Sequence, residues 1–133
     1  MRYENSFRKL YDAARGVISC RKLSEVADCG GVGSALLTKS GNIFTGICFD
    51  CTSGIGFCAE HAAVAEMLKN KESEIQAIVS VDWDGKVLPP CGRCRELLQQ
   101  VNRKNLQTAV FVSKTKAVKL KELLPHRYKY EKP

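Results

Sequence analysis

Along residues 4–20 the apolar side chains Phe7, Leu10, Tyr11, Ala14, Val17 and Ile18 return at steps of three and four. That spacing builds one buried helix face and predicts a first helix from Glu4 to about Cys20. The pattern then breaks at CGGVG (29–33), where three glycines are read as a flexible loop. SALLTKSGNIFTGICF (34–49) follows, with β-branched residues on either side of KSGN, and predicts two strands joined as a hairpin. CAEHAAVAEMLKN (58–70) consists of strong helix formers with Ala62, Ala65, Met67 and Leu68 available for packing, and predicts a second helix. EIQAIVSVDW (74–83) is an apolar run suited to a buried strand, ended by the glycine and paired prolines of DGKVLPP. After Pro90, CGRCRELLQQVNRK sets Leu97, Leu98 and Val101 on the face of a third helix. TAVFVS (108–113) and AVKL (117–120) read as two more strands, and KELLP (121–125) as a short helix stopped by proline.

The expected order is therefore α, β, β, α, β, α, β, β, α. Alternation of strands and helices after a hairpin implies a largely parallel sheet covered by helices, with the hairpin as an antiparallel edge. No internal repeat or linker divides the chain, so residues 1–133 are read as one α/β domain.

Composition narrows the class. Of 133 residues, 44% are apolar and 26% charged, ordinary values for a globular protein. No apolar run nears the roughly 20 residues of a membrane span. The start MRYENSFRKLYDAARG lacks the apolar stretch of a secretory signal, so a cytoplasmic protein with reduced thiols is expected. Twenty-one basic against fourteen acidic residues leave a net charge of +7. The lysines and arginines are scattered, with mild enrichment in 114–122 and 126–133, and are read as solvated surface, not as a nucleic-acid interface.

Seven cysteines (20, 29, 48, 51, 58, 91 and 94) change the picture. An odd count without a secretory signal leaves metal binding, redox chemistry or burial. Three of them stand at predicted helix starts: Cys58 on the second helix, Cys91 and Cys94 on the third. A helix N-terminus is partially positive and stabilises thiolate, the form that binds zinc. Three thiolates from two converging helices make a tetrahedral site with one open position, as in catalytic zinc centres. Glu60 is then placed to move a proton between activated water and a substrate. Two other readings stay open. Cys48 and Cys51 form a second C-x-x-C that could complete a four-cysteine structural knuckle with Cys91 and Cys94, although the spacer is about twice the typical 15–20 residues. Cys91 and Cys94 could also form a redox pair, which leaves Cys58 unexplained. Cys20 and Cys29 are read as thiols without chemistry.

CAE at 58–60, followed about thirty residues later by PCGRC at 90–94, resembles the signature of the zinc-dependent cytidine deaminase superfamily, with cysteine as first ligand. The cysteine version is similar to the small homotetrameric cytidine deaminases and to blasticidin-S deaminases, and VGSALLTKSGNIFTG (32–46) and KELLP share in the likeness. The resemblance implies a three-layer α/β/α fold with a mixed five-stranded sheet, and zinc held by Cys58, Cys91 and Cys94. It further implies Glu60 as proton shuttle, a ring contact from the Ala59 amide, and a homotetramer acting on a small nucleoside.

Departures fall on recognition and charge. The N-x-E that holds the ribose in typical cytidine deaminases corresponds here to Cys48, Phe49 and Asp50. Asp50 retains the ability to accept a hydroxyl hydrogen bond. An arginine commonly placed after the catalytic glutamate is His61, while Arg93 and Arg95 beside the cysteines are candidates to offset thiolate charge. His61 is also weighed as a fourth ligand, though the helix turns it about 100° from Glu60. The expected activity is hydrolytic deamination of cytidine, deoxycytidine or a close analogue. The alternatives are a blasticidin-like nucleoside or another cyclic amidine and, from a different class, a non-catalytic zinc module.

Overall fold

A computed structural model describes residues 2–129. Residues 130–133 of the expected basic tail lie outside them. The chain runs α1 (Arg2–Gly16), β1 (Arg21–Ser24), β2 (Ala27–Thr38), β3 (Ile43–Cys51), α2 (Ala59–Lys69), β4 (Ile75–Asp82), α3 (Gly92–Val101), β5 (Ala109–Ser113) and β6 (Lys116–Lys119). Short 3-10 turns at Arg103–Gln107 and Leu120–Leu123 complete it.

The layers follow from strand alternation. On β4, Ala77, Val79 and Val81 join Leu10, Tyr11 and Ala14 of α1 in one core. Ile78, on the opposite face, joins Ala63, Val64 and Met67 of α2 and Leu98 of α3 in the other. Successive side chains of a strand point to opposite faces, so one apolar run feeds both cores of an α/β/α sandwich.

The sheet is mixed, with six strands where five were expected. The added strand, β1, pairs antiparallel with the start of β2 through Arg21↔Cys29 and Lys22↔Asp28. All four of its residues are exposed, so it carries no hydrophobic alternation to announce it. The CGGVG segment read as a loop lies inside β2, with a register break between Cys29 and Gly33. Gly30 has φ +84°, and a Cβ there would strike the Ser19 carbonyl, so glycine marks a bulge inside the strand.

The expectation of a largely parallel sheet is corrected. β2 is antiparallel to β1, β3 and β4, and β6 to β5; among the described residues the one parallel pair is β4 with β5. Helix α2 returns the chain from β3 to β4 on the far side of β2, which places β4 antiparallel to β2. Alternation of elements in sequence does not reveal that crossing. Two ends also shift: α1 stops at Gly16, where Val17 and Ile18 continue in turns to Ala14 and Arg15, and the predicted last helix is the 3-10 turn Leu120–Leu123.

Candidate metal centre and cavity

The N-termini of α2 and α3 converge. Cys58 is the N-cap of α2 and Cys91 the N-cap of α3, both in extended backbone conformation, and Cys94 lies in the first turn of α3. Each cap is fixed by its approach. Before α2 the chain makes a tight loop with Ser53 and Gly54 at positive φ, then pairs back on β3 through two Phe49–Phe57 backbone bonds of 2.9 and 3.0 Å. Before α3 it doubles back along β4, where Leu88 N donates to Ser80 O at 2.9 Å. Arg95 Nε then donates to Pro90 O at 2.8 Å and Nη1 to Leu123 O at 3.3 Å, tying the proline turn to the C-terminal segment. Arg95 was a candidate donor to the cysteine sulfurs; its hydrogen bonds go to these carbonyls instead.

Helix α2 comes close to the sheet because β3 offers Gly46. A Cβ there would stand 2.6 Å from both Ala59 O and Ala62 Cβ and would overlap Ala63 N. The small faces of Gly46 and Ala63 let the first turn of α2 settle on the strand, carrying Cys58 and Glu60 with it.

Cys58 Sγ lies 3.5 Å from Cys91 Sγ, and Cys91 Sγ 3.6 Å from Cys94 Sγ. His61 Nδ1 is 3.6 Å from Cys94 Sγ, and the donor atoms of Cys58, His61 and Cys94 lie within 4.8 Å of one another. Zinc bound about 2.3 Å from each sulfur in a tetrahedron sets the sulfurs about 3.8 Å apart. The sulfur triangle therefore fits a zinc ion with little movement, and the imidazole stands at its edge.

Electrostatics divides the thiols. Burial, followed by the nearby Glu60 charge, pushes Cys94 far above the usual thiol range. Burial and then contact with Cys91 also raise Cys58. For Cys91, burial pushes upward, but the amides of Cys94 and Arg93 and the two neighbouring thiols outweigh it and hold the group below its usual value. Burial, then the Arg93 cation, lowers His61, with Glu60 opposing. The imidazole is thus held neutral around neutral pH and does not supply the charge of an arginine.

These groups open on a cavity of about 450 Å³. Glu60, only 6% exposed, lines it beside Cys58, Ala59, Cys91 and Arg93, and β3 supplies Cys48, Phe49, Asp50 and Cys51 from another wall. Of the candidate site residues, Cys48, Asp50, Cys58, Ala59, Glu60, Cys91 and Arg93 thus sit on this cavity, whereas His61, Cys94 and Arg95 do not line it. Ser80, Phe57, Leu88 and Pro89 also line it. They belong to no motif; the paired prolines were the single cue, read only as a break.

No protein-family profile matches the chain. It is 40% identical over 68 residues to a cytidine deaminase of Mycobacterium tuberculosis, and that match spans about half of either protein, 50% of this chain and 51% of the relative. A Bacillus cereus blasticidin-S deaminase is 28% identical over 106 residues, covering 73% of this chain and 76% of its own. The crystal structure of M. tuberculosis cytidine deaminase superposes with a TM-score of 0.77 at 28% identity, covering 93% of this chain and 98% of that one. By sequence and by fold, the chain is similar to the cytidine and blasticidin-S deaminases, a likeness consistent with the zinc-dependent cytidine deaminase superfamily.

Proposed function

We propose that the protein is a zinc-dependent hydrolase that deaminates a cytosine nucleoside, with cytidine or deoxycytidine as substrate and ammonia as product. The single observation that carries the reading is the sulfur triangle of Cys58, Cys91 and Cys94, with edges of 3.5 and 3.6 Å, set beside the buried carboxylate of Glu60 on one cavity wall. A structural zinc knuckle has no use for that carboxylate, and a redox pair has none for the third sulfur.

Cys58, Cys91 and Cys94 would hold the metal, which when bound supplies the Lewis acidity that activates water for attack on the amine-bearing carbon. Glu60 would take one proton from that water and deliver it to the ring nitrogen, then carry the water's second proton to the departing amine, which leaves as ammonia. Its 6% exposure keeps bulk water from competing for the proton. The Ala59 amide, in the first turn of α2 on the cavity lining, is a donor for the ring, and Asp50 an acceptor for what the ring carries. Arg93 on the wall tempers the charge of three thiolates, while His61 beside Cys94, held neutral, adds no cation of its own.

A cytoplasmic homotetramer is the expected setting. The name of the tuberculosis relative supports the activity, and exposed apolar Phe57 on the cavity lining, with exposed Ile55 two residues before it, supports a covering neighbour. No helix among the described residues is long and apolar enough to cross a membrane.

The test is ammonia release by zinc-loaded protein from cytidine, deoxycytidine and blasticidin S, with Glu60→Gln as control. Turnover of the first two that disappears in the variant supports the reading. Silence of the zinc-loaded protein on all three overturns it.

A further inference from the structure

The β3 wall of the cavity holds Cys48, Asp50 and Cys51, and the first two are bonded to each other. The Cys48 thiol donates to Asp50 Oδ2 at 3.4 Å, while its sulfur accepts the Val32 amide at 3.3 Å. Cys48 is 6% exposed, and burial pushes its thiol up, so it remains the protonated donor. The neighbouring wall hydroxyl, Ser80 Oγ, donates to Ser34 Oγ at 3.1 Å, which itself donates to Val79 O at 3.0 Å. The neutral side-chain donors of Cys48 and Ser80 are therefore spent inside the protein, and apart from the Cys51 thiol the rest of this wall is made apolar by Val32, Phe49 and Phe57.

That arrangement bears on selectivity. A site rejects an analogue that lacks a hydroxyl by factors of about 10⁴ only when the missing group strands a buried polar partner. Here nothing buried is stranded: Cys48 keeps both partners, and Asp50, exposed in the single chain, keeps the Cys48 thiol as a partner whatever the ligand carries. An apolar wall, in turn, rejects an added hydroxyl only weakly.

We propose that the Cys48–Asp50 pair makes the cavity indifferent to the hydroxyl pattern of whatever the reacting ring carries, so that its substrates extend to cytosine derivatives with deoxygenated substituents. Cys48 is on this view a specificity-determining residue. The inference rests on the deaminase reading above, and the test separates the two. Affinities of cytidine, 2′-deoxycytidine and 2′,3′-dideoxycytidine are measured by calorimetry on zinc-loaded Glu60→Gln protein, alongside turnover by the unaltered enzyme. The three dissociation constants are expected within about tenfold of one another. Adding Cys48→Asn introduces an amide that needs a partner and is expected to favour cytidine over the dideoxy compound by on the order of a hundredfold. Should that variant not fold, the series on Glu60→Gln alone decides. A graded loss of about a hundredfold or more as hydroxyls are removed overturns the inference while turnover of cytidine leaves the deaminase reading standing; failure of all three to bind overturns both.

Discussion

His61 Nδ1 lies 3.6 Å from Cys94 Sγ, on the same helix as Cys58 and Glu60, so two donor sets share two sulfurs. One set is Cys58, Cys91 and Cys94; the other is Cys58, His61 and Cys94. Cys91 is the better third donor, because it stands 3.5 and 3.6 Å from both shared sulfurs and two amides already hold its thiol below the usual range. His61 then acts on Cys94 as a neighbour to the metal. Cys91→Ala should lose the full zinc stoichiometry, while His61→Ala should keep one zinc per chain, both read by atomic absorption. The reverse pattern would assign the metal to the cysteine and histidine set.

Zinc affinity should rise with pH. Cys58 and Cys94 have raised values in the metal-free fold, so both are protonated at neutral pH and must release protons to the solvent as metal binds. Protons therefore compete with zinc, and lowering the pH weakens binding. Release of at least these two protons corresponds to about a hundredfold or larger change in apparent affinity per pH unit. Competition with a chelator at pH 6 and pH 8 measures the slope; a flat profile would mean that the thiols are already ionised.

Gly46→Ala tests how the site is seated. The added methyl would meet backbone of α2 at Ala59 O and Ala63 N, which cannot rotate aside. Overpacking of this kind costs about 1–3 kcal/mol and should displace the first turn of α2. A lower urea midpoint together with weaker zinc retention is expected. Gly41→Ala, at a hairpin tip with open space around it but φ +94°, serves as the comparison: it should lower stability by backbone strain and leave zinc binding unchanged.

The legible parts of this protein were those in which one residue type repeats at a chemically meaningful interval. Cys58, Glu60, Cys91 and Cys94 are set by two short spacings and by the helix starts they share, and the fold brings those starts together. The apolar run of β4 announced a buried strand, since both faces of Ile75–Asp82 are covered. Strand β1 gave no signal because Arg21–Ser24 packs no side chain into a core. The glycines of β2 read as loop because strands are usually poor in glycine, yet Gly30 and Gly33 are there to let Ser19 and Ala14 carbonyls approach. Strand direction was hidden for a different reason: it depends on which side of β2 the chain takes after α2, a long-range choice with no local residue pattern. Cys48 illustrates the same limit at the site, since its alignment with a sugar-binding position was visible but its bond to Asp50 was not.

Asn105 fixes the far end of the helix that carries Cys91 and Cys94. The side chain is fully buried in the 3-10 turn after α3; its Oδ1 accepts Ile75 N–H at 2.8 Å, and its Nδ2 donates to Leu98 O at 2.9 Å and Ser73 O at 3.0 Å. One amide thus joins α3 to the start of β4. Removing it strands one buried donor and two acceptors, each costing about 1–3 kcal/mol where water does not enter. Asn105→Ala should therefore lose about 3 kcal/mol or more of unfolding free energy in urea. Asn105→Asp keeps the Ile75 bond but turns an acceptor oxygen toward two carbonyls, so it should be at least as damaging despite its matching shape. Because zinc binds the folded form, saturating metal should restore part of the loss in both variants. If Asn105→Asp were as stable as the parent, the amide would not be the tie that orients α3.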